Sequence, residues 1–279
     1  MSAWLPIASC TPRDCARHEG ARRAPLPAVA LLLAGCALTF LGVLCVPAVL
    51  LLAPTHRDRL IRRWAYGVVR SFGVRIRVTG CPVERARPQV GELVVAHHVS
   101  WLDIPLVAAV LPARMVAKSE IRHWPLLGPL AALGGTLFIE RDRLRALPEA
   151  VRAVAGALAS GSRVAVFPQG STWCGRSGGG RYRPAAFQAA IDAGAAVRPV
   201  RISYRTTHTD TAGAAAFVGD DPLAASLWRV VTAAGLTAEI RILPPVLLDG
   251  EPGRRALARA AQSAVARDSA NLPAPSVHH

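Results

Sequence analysis

No charged residue occurs between Leu26 and Ala53, a run of 28 positions, and no other feature narrows the possible folds as much. As one straight helix the run would reach about 42 Å at the usual rise per residue, beyond the ~30 Å hydrocarbon core of a bilayer. Pro47, Gly35 and Gly42 interrupt it. It is too long and too far from the start for a signal peptide, and no clean Ala-x-Ala site follows it. Its length also argues against a core helix. Two arrangements remain: a tilted single span, or a bent hairpin dipping into one leaflet with both ends cytosolic. Arg13, Arg17, Arg22 and Arg23 flank one side and Arg57, Arg59, Arg62 and Arg63 the other, so the usual positive-inside asymmetry is missing. The hairpin is favoured because it sets both basic flanks beside anionic headgroups.

This run divides the chain. Residues 1–24 are polar and Arg-rich without periodicity, and read as a flexible basic tail. Residues 25–71 read as a membrane anchor followed by an interfacial helix. In that helix Leu60, Ile61, Trp64, Val68 and Val69 share a face opposite arginines, with Trp64 expected as an interfacial anchor. Residues 72–269 alternate short apolar runs with helix-like segments, the pattern of an α/β domain. Residues 270–279 read as a disordered tail.

Within the α/β part, Leu93 to Ala96 reads as a buried strand and Ile104 to Leu111 as a helix, with Ser100 as its N-cap and Pro105 tolerated in its first turn. His98 then stands at the carboxyl end of a strand and Asp103 in the first turn of a helix. In open α/β sheets that edge is where ligands bind. A neutral imidazole can take a proton from an alcohol, and a carboxylate on its other nitrogen fixes the tautomer. Alone, the spacing also fits an ordinary helix-start Asp beside a buried His. His97, one residue off the spacing, reads as a polar loop residue.

Other segments follow in a telling order. Ala113 to Ala117 reads as a strand ending at Lys118. Thr136 to Ile139 reads as a strand with Arg141 just beyond it, where a guanidinium could hold a phosphate bidentately. Val164 to Phe167 delivers Pro168-Gln169-Gly170-Ser171-Thr172, whose glycine permits a tight turn and close backbone approach to an oxyanion or phosphate. Val197 to Ser203 reads as a strand with Pro199 at a turn or bulge. Trp124 to Leu130, with two prolines, reads as membrane-facing or as the wall of an acyl groove. Residues 206–222 read as a largely polar loop, with His208 at the surface. Gly175-Arg176-Ser177-Gly178-Gly179 matches a hydrolase elbow only formally, because that motif needs a strand directly before it and a helix directly after.

Taken together, the His-x4-Asp pair, Gly135-x-x-Phe138-Ile139-x-Arg141, Phe167-Pro168-Gln169-Gly170-Ser171 and Val197-x-Pro199-Val200 resemble the four blocks of the lysophospholipid acyltransferase family, typified by 1-acylglycerol-3-phosphate acyltransferase. The resemblance covers about residues 73–245. It implies a glycerolipid acyltransferase-type sheet flanked by helices, with a membrane-embedded N-terminal helical segment. It implies acyl transfer from acyl-CoA or acyl-carrier protein to a lysophospholipid hydroxyl, most simply 1-acylglycerol 3-phosphate. His98 would be the base and Asp103 its orienting partner, with no protein nucleophile and no cofactor. Lys118, Arg141, Gln169, Gly170 and Ser171 fall at its substrate-binding positions. The chain departs from the pattern where Gln169 replaces glutamate and Thr172 stands where many members carry arginine. Arg176, Arg181 or Arg183 would then supply the missing charge. A lyso-ornithine lipid or another lyso-lipid as acceptor, or a catalytically silent lipid-binding relative, are the alternatives this substitution leaves open.

The net charge of +15 fits an anionic membrane surface or a nucleic acid. The sequence contains no finger spacing, aromatic RNA-binding block or basic zipper, so no nucleic-acid partner is expected. The expected location is the cell membrane, with the catalytic domain on the cytoplasmic face. The six cysteines form no Cys-x2-Cys pair and two lie in the apolar run, which reads as a reducing compartment, with neither a disulfide framework nor a zinc site.

Overall fold

The computed structural model describes residues 8–18, 20–81, 90–125, 127–140, 143–175, 179–207, 213–247 and 253–270. In chain order the elements are α1 (Pro12–Cys15), α2 (Pro25–Leu44), α3 (Val46–Leu50), α4 (Pro54–Ser71), β1 (Arg75–Gly80), β2 (Leu93–Ala96), α5 (Asp103–Val110), β3 (Arg114–Lys118), α6 (Leu127–Leu133), β4 (Leu137–Ile139), α7 (Leu147–Ala159), β5 (Val164–Val166), α8 (Ala185–Ala193), β6 (Val197–Arg205), α9 (Leu223–Thr232), β7 (Thr237–Ile242) and α10 (Arg254–Ala270).

The strands form one sheet of order β1-β7-β6-β2-β5-β3-β4. β6, β2, β5, β3 and β4 run parallel, β7 is antiparallel to β6, and β1 follows β7. This is the expected α/β sheet flanked by helices. β2 and β5 are enclosed on both faces, which is why they read as unbroken Val/Ala/Leu runs. β6 continues straight through Pro199, without the expected turn. Its ladder with β7 begins only at Val200↔Ile242, so the proline nitrogen owes that neighbour no hydrogen bond.

The apolar run is not one straight helix. It is broken at Cys45, and α2 returns through α3 to α4, which begins at Pro54. A Cβ on Gly35 would lie 2.4 Å from the Phe72 ring, and one on Gly42 would lie 2.5 Å from the Trp64 indole. The two helices therefore cross so closely that only glycine fits at both points. The Trp64 Nε1–H donates to the Leu38 carbonyl at 2.9 Å. Trp64, expected as an interfacial anchor, is thus partly buried against α2.

α4 is also part of the core. Ala65, Val68, Val69 and Phe72 are buried, and α4 packs on α5. The outward face of α2 stays uncovered: Leu26, Leu33, Phe40, Leu41 and Leu44 are all exposed. Among the described residues, α2 is the one helix long and apolar enough to cross a membrane. α6 contacts α2 and α3, and Trp124 is exposed just before it.

Residues 20–24, expected in a loose tail, are fixed to the domain. Arg23 donates to the Val231 and Gly73 carbonyls at 2.8 Å each, and Ala234 N–H donates to the Ala21 carbonyl at 2.9 Å. The 206–222 loop differs as well, since Ala214, Ala215, Ala216 and Val218 are buried. The tail from 271 onward and His208 lie outside the described residues.

Candidate active site

Because β2, β5, β3 and β4 are neighbours running the same way, their carboxyl ends share one edge of the sheet. That edge carries His98 after β2, Gln169 after β5 and Lys118 at the end of β3. Arg141, two residues beyond β4 in sequence, lies outside the described residues.

His98 Nδ1 and Asp103 Oδ2 are 2.8 Å apart, and Asp103 has no exposed side-chain surface while His98 keeps 20% of its own. The same Oδ2 accepts the Val99 and Ser100 N–H groups at 2.7 and 2.9 Å. Asp103 thereby fixes the turn that carries the imidazole. Ser100 is not the N-cap: Leu102 occupies that position without a side-chain bond, and Ser100 Oγ accepts the Leu102 N–H instead. Oδ1 accepts the hydroxyl of Tyr204 at 2.5 Å. Burial, and then the Asp103 charge, push the Tyr204 phenol well above its ordinary pKa, so it stays a donor.

The carboxylate is thus held by three neutral donors and one imidazole. With Nδ1–H committed to Asp103, the other imidazole nitrogen carries the lone pair and is free to act as a base. The ring is stacked on Phe167, with centroids 4.1 Å apart.

Gln169 is buried and joins two sides of the site. Its Oε1 accepts the His98 N–H at 3.1 Å, and its Nε2 donates to the Gly180 carbonyl at 3.4 Å. A backbone N–H needs an acceptor and a carbonyl needs a donor, so both halves of the amide are used. A glutamate here would set an oxygen against the Gly180 carbonyl. Gly179 is pressed so close that a Cβ would lie 2.2 Å from Nε2.

The turn itself departs from expectation. Gly170 has the left-handed φ of 76°, but its N–H donates to the Phe167 carbonyl at 3.0 Å and is spent within the turn. Ser171 Oγ is buried with no hydrogen-bond partner among the described residues. Arg181 and Arg183 are exposed, while Arg176 and Ser177 lie outside the described residues. Gly175 follows β5 only after the 168–172 turn, and α8 does not begin until Ala185, so the elbow context is missing.

Lys118 is exposed, two strands across from His98, roughly 10 Å at the usual strand spacing. It does not contact the His–Asp pair. His97 lies in the loop after β2, as expected, and is partly buried there: burial lowers its pKa to about 4, and its ring meets Tyr182 edge-on at 5.3 Å. The residue that sequence reasoning missed is Tyr204. Its one signal is the alternation Val200, Ile202, Tyr204 along β6, all buried.

A family model described as acyltransferase matches residues 75–203. The lyso-ornithine lipid O-acyltransferase of Pseudomonas aeruginosa is 37% identical over 211 residues, covering 75% of this chain and 78% of that one. The 1-acyl-sn-glycerol-3-phosphate acyltransferase of Neisseria meningitidis is 37% identical over 189 residues, covering 67% and 71%. Among solved structures, the 1-acyl-sn-glycerophosphate (LPA) acyltransferase PlsC of Thermotoga maritima shares the fold, with a TM-score of 0.61 over 89% of this chain and 97% of that one, at 20% identity.

Proposed function

Given that this chain belongs to the acyltransferase family and is an O-acyltransferase, we propose that it moves a fatty acyl group from acyl-CoA or acyl-carrier protein to the hydroxyl of a lyso-lipid at a membrane surface. The observation that carries this reading is the 2.8 Å His98–Asp103 pair, buried on the carboxylate side and open on the imidazole side.

The acceptor hydroxyl would donate to the free ring nitrogen of His98. As its oxygen attacks the thioester carbonyl, the proton passes to the imidazole, and Asp103 stabilises the cation formed. The tetrahedral intermediate then collapses, the C–S bond breaks, and the imidazolium returns the proton to the departing thiolate. No acyl-enzyme is needed, because the nucleophile belongs to the acceptor. Ser171 is assigned to hold the oxyanion or a headgroup phosphate, with Arg141 as the guanidinium and Lys118 farther along the same edge.

The acceptor we favour is 1-acylglycerol 3-phosphate, giving phosphatidate. A second reading, a lyso-ornithine lipid, draws support from the neutral Gln169 and from the similarity to the Pseudomonas enzyme. The exposed apolar face of α2 supports attachment to the cell membrane, with the sheet on the cytoplasmic side. Purified protein given labelled acyl-CoA and a panel of lyso-lipids would separate the acceptors. His98→Ala should abolish transfer to whichever one is used. Turnover that survives the substitution in folded protein would remove the base from the mechanism.

A further inference from the structure

Three of the six cysteines meet, although no sequence spacing announces it. The sulfurs of Cys10, Cys15 and Cys174 all lie within 4.8 Å of one another. Cys10 precedes the single turn of α1 and Cys15 ends it; its N-cap Thr11 accepts the Asp14 N–H at 3.3 Å and donates to its carboxylate at 2.6 Å. That turn holds both thiols against Cys174. Cys10 and Cys174 are buried in a small apolar cluster with Ala216 and Val218, and Cys15 is only partly covered.

We propose that Cys10, Cys15 and Cys174 are a three-thiolate site for a zinc ion, which clasps the N-terminal segment to the loop leaving the His98 edge. Tetrahedral zinc holds sulfur at about 2.3 Å, so its ligands stand roughly 3.8 Å from one another; the thiols need to close only slightly. Soft sulfur donors in an apolar wall select zinc over oxygen-seeking cations. The half-open side at Cys15 leaves the fourth position to water or an outside ligand.

Zinc takes its sulfur ligands as thiolates, so its binding releases thiol protons and affinity should rise with pH. The clasp is tied to the catalytic edge, because the N–H of Trp173, next to Cys174, donates to the His98 carbonyl at 2.7 Å. Metal would stabilise that loop without taking part in the chemistry.

The test uses the full chain, tag-free, reduced and stripped by chelator, then titrated with Co²⁺. One equivalent should produce a thiolate-to-cobalt charge-transfer band with tetrahedral ligand-field bands. Zn²⁺ should displace the cobalt and raise the unfolding midpoint. Replacing Cys36, Cys45 and Cys81 together with alanine should leave the band intact. Cys15→Ala should weaken binding by more than about a hundredfold, since even outer-shell changes cost 10- to 100-fold. A wild-type protein with no charge-transfer band, or a band that survives Cys174→Ala, overturns the assignment. The binding readout is separate from acyl transfer, so its failure leaves the acyltransferase reading untouched, and the reverse holds too.

Discussion

Strand β2 starts beside one enclosed carboxylate and ends beside another, and their surroundings are opposite. Glu92, just before β2, bonds Arg163 at 3.1 Å and Arg198 through two contacts, the Nε one at 3.0 Å. Among the described residues Asp103 bonds no arginine, only two backbone N–H groups, a phenol and the His98 imidazole. Burial alone would raise the Glu92 pKa, but the two guanidiniums outweigh it and the net shift is downward. A charge already matched by fixed cations has nothing left for a reaction; it fastens the amino-terminal end of the sheet. A charge held by neutral donors keeps most of its field for a cation that forms only during turnover. On the proposed mechanism, location in the sheet and choice of partner together separate a structural acid from a working one.

The sharpest way to break this comparison is Asp103→Asn. It keeps the shape but loses the charge, and kcat should fall about 10³- to 10⁴-fold, the scale for neutralising the carboxylate behind a catalytic imidazole. A fall of less than tenfold in folded protein would put Asp103 on the same footing as Glu92.

Next comes Tyr204→Phe, expected to lower kcat roughly tenfold, about the loss of one hydrogen bond to a charged group, with KM unchanged. An effect on stability alone would reduce Tyr204 to a packing residue. Gln169→Glu probes the neutral latch. It should gain no activity and should cost about 2 kcal/mol of stability, because a buried carboxylate oxygen then faces the Gly180 carbonyl. Raised turnover would show that the amide is not fitted to its neighbours.

The smallest effect on turnover belongs to Glu92→Gln. Chemical denaturation should show a loss of about 3 kcal/mol, the scale for breaking a buried ion pair, with kcat retained. The pH dependence has a definite sign. Since the folded-state pKa of Glu92 is depressed, its contribution is present above the ordinary carboxylate value and is lost as pH falls toward the folded one. The variant should therefore show a flatter acid limb of stability.

Which parts of this were readable from sequence follows from distance along the chain. His98 and Asp103 stand five residues apart on a strand-loop-helix unit, so local pattern placed both at the sheet edge. Tyr204 is 101 residues from Asp103, and nothing in the alternation of β6 says which side chain its face will meet. Trp64 has the same apolar signature whether it meets lipid or Gly42, so periodicity could not reveal its contact with α2. Cys174 stands far from Cys10 and Cys15, and a pairing that depends on folding leaves no local spacing. Gln169 was legible as a substitution, but its fit became visible only once Gly180 was seen across from it.

The hairpin has a consequence for how this protein can be cut. Ala65, Val68 and Val69 on α4 are core residues, so a chain begun at residue 72 would lose a wall of its interior along with its exposed apolar helix. Solubility and integrity cannot be separated by truncation here. An attempt to free the sheet from α2 and α4 should yield an aggregating, partly collapsed polypeptide, and its inactivity would say nothing about whether lipid is needed for chemistry.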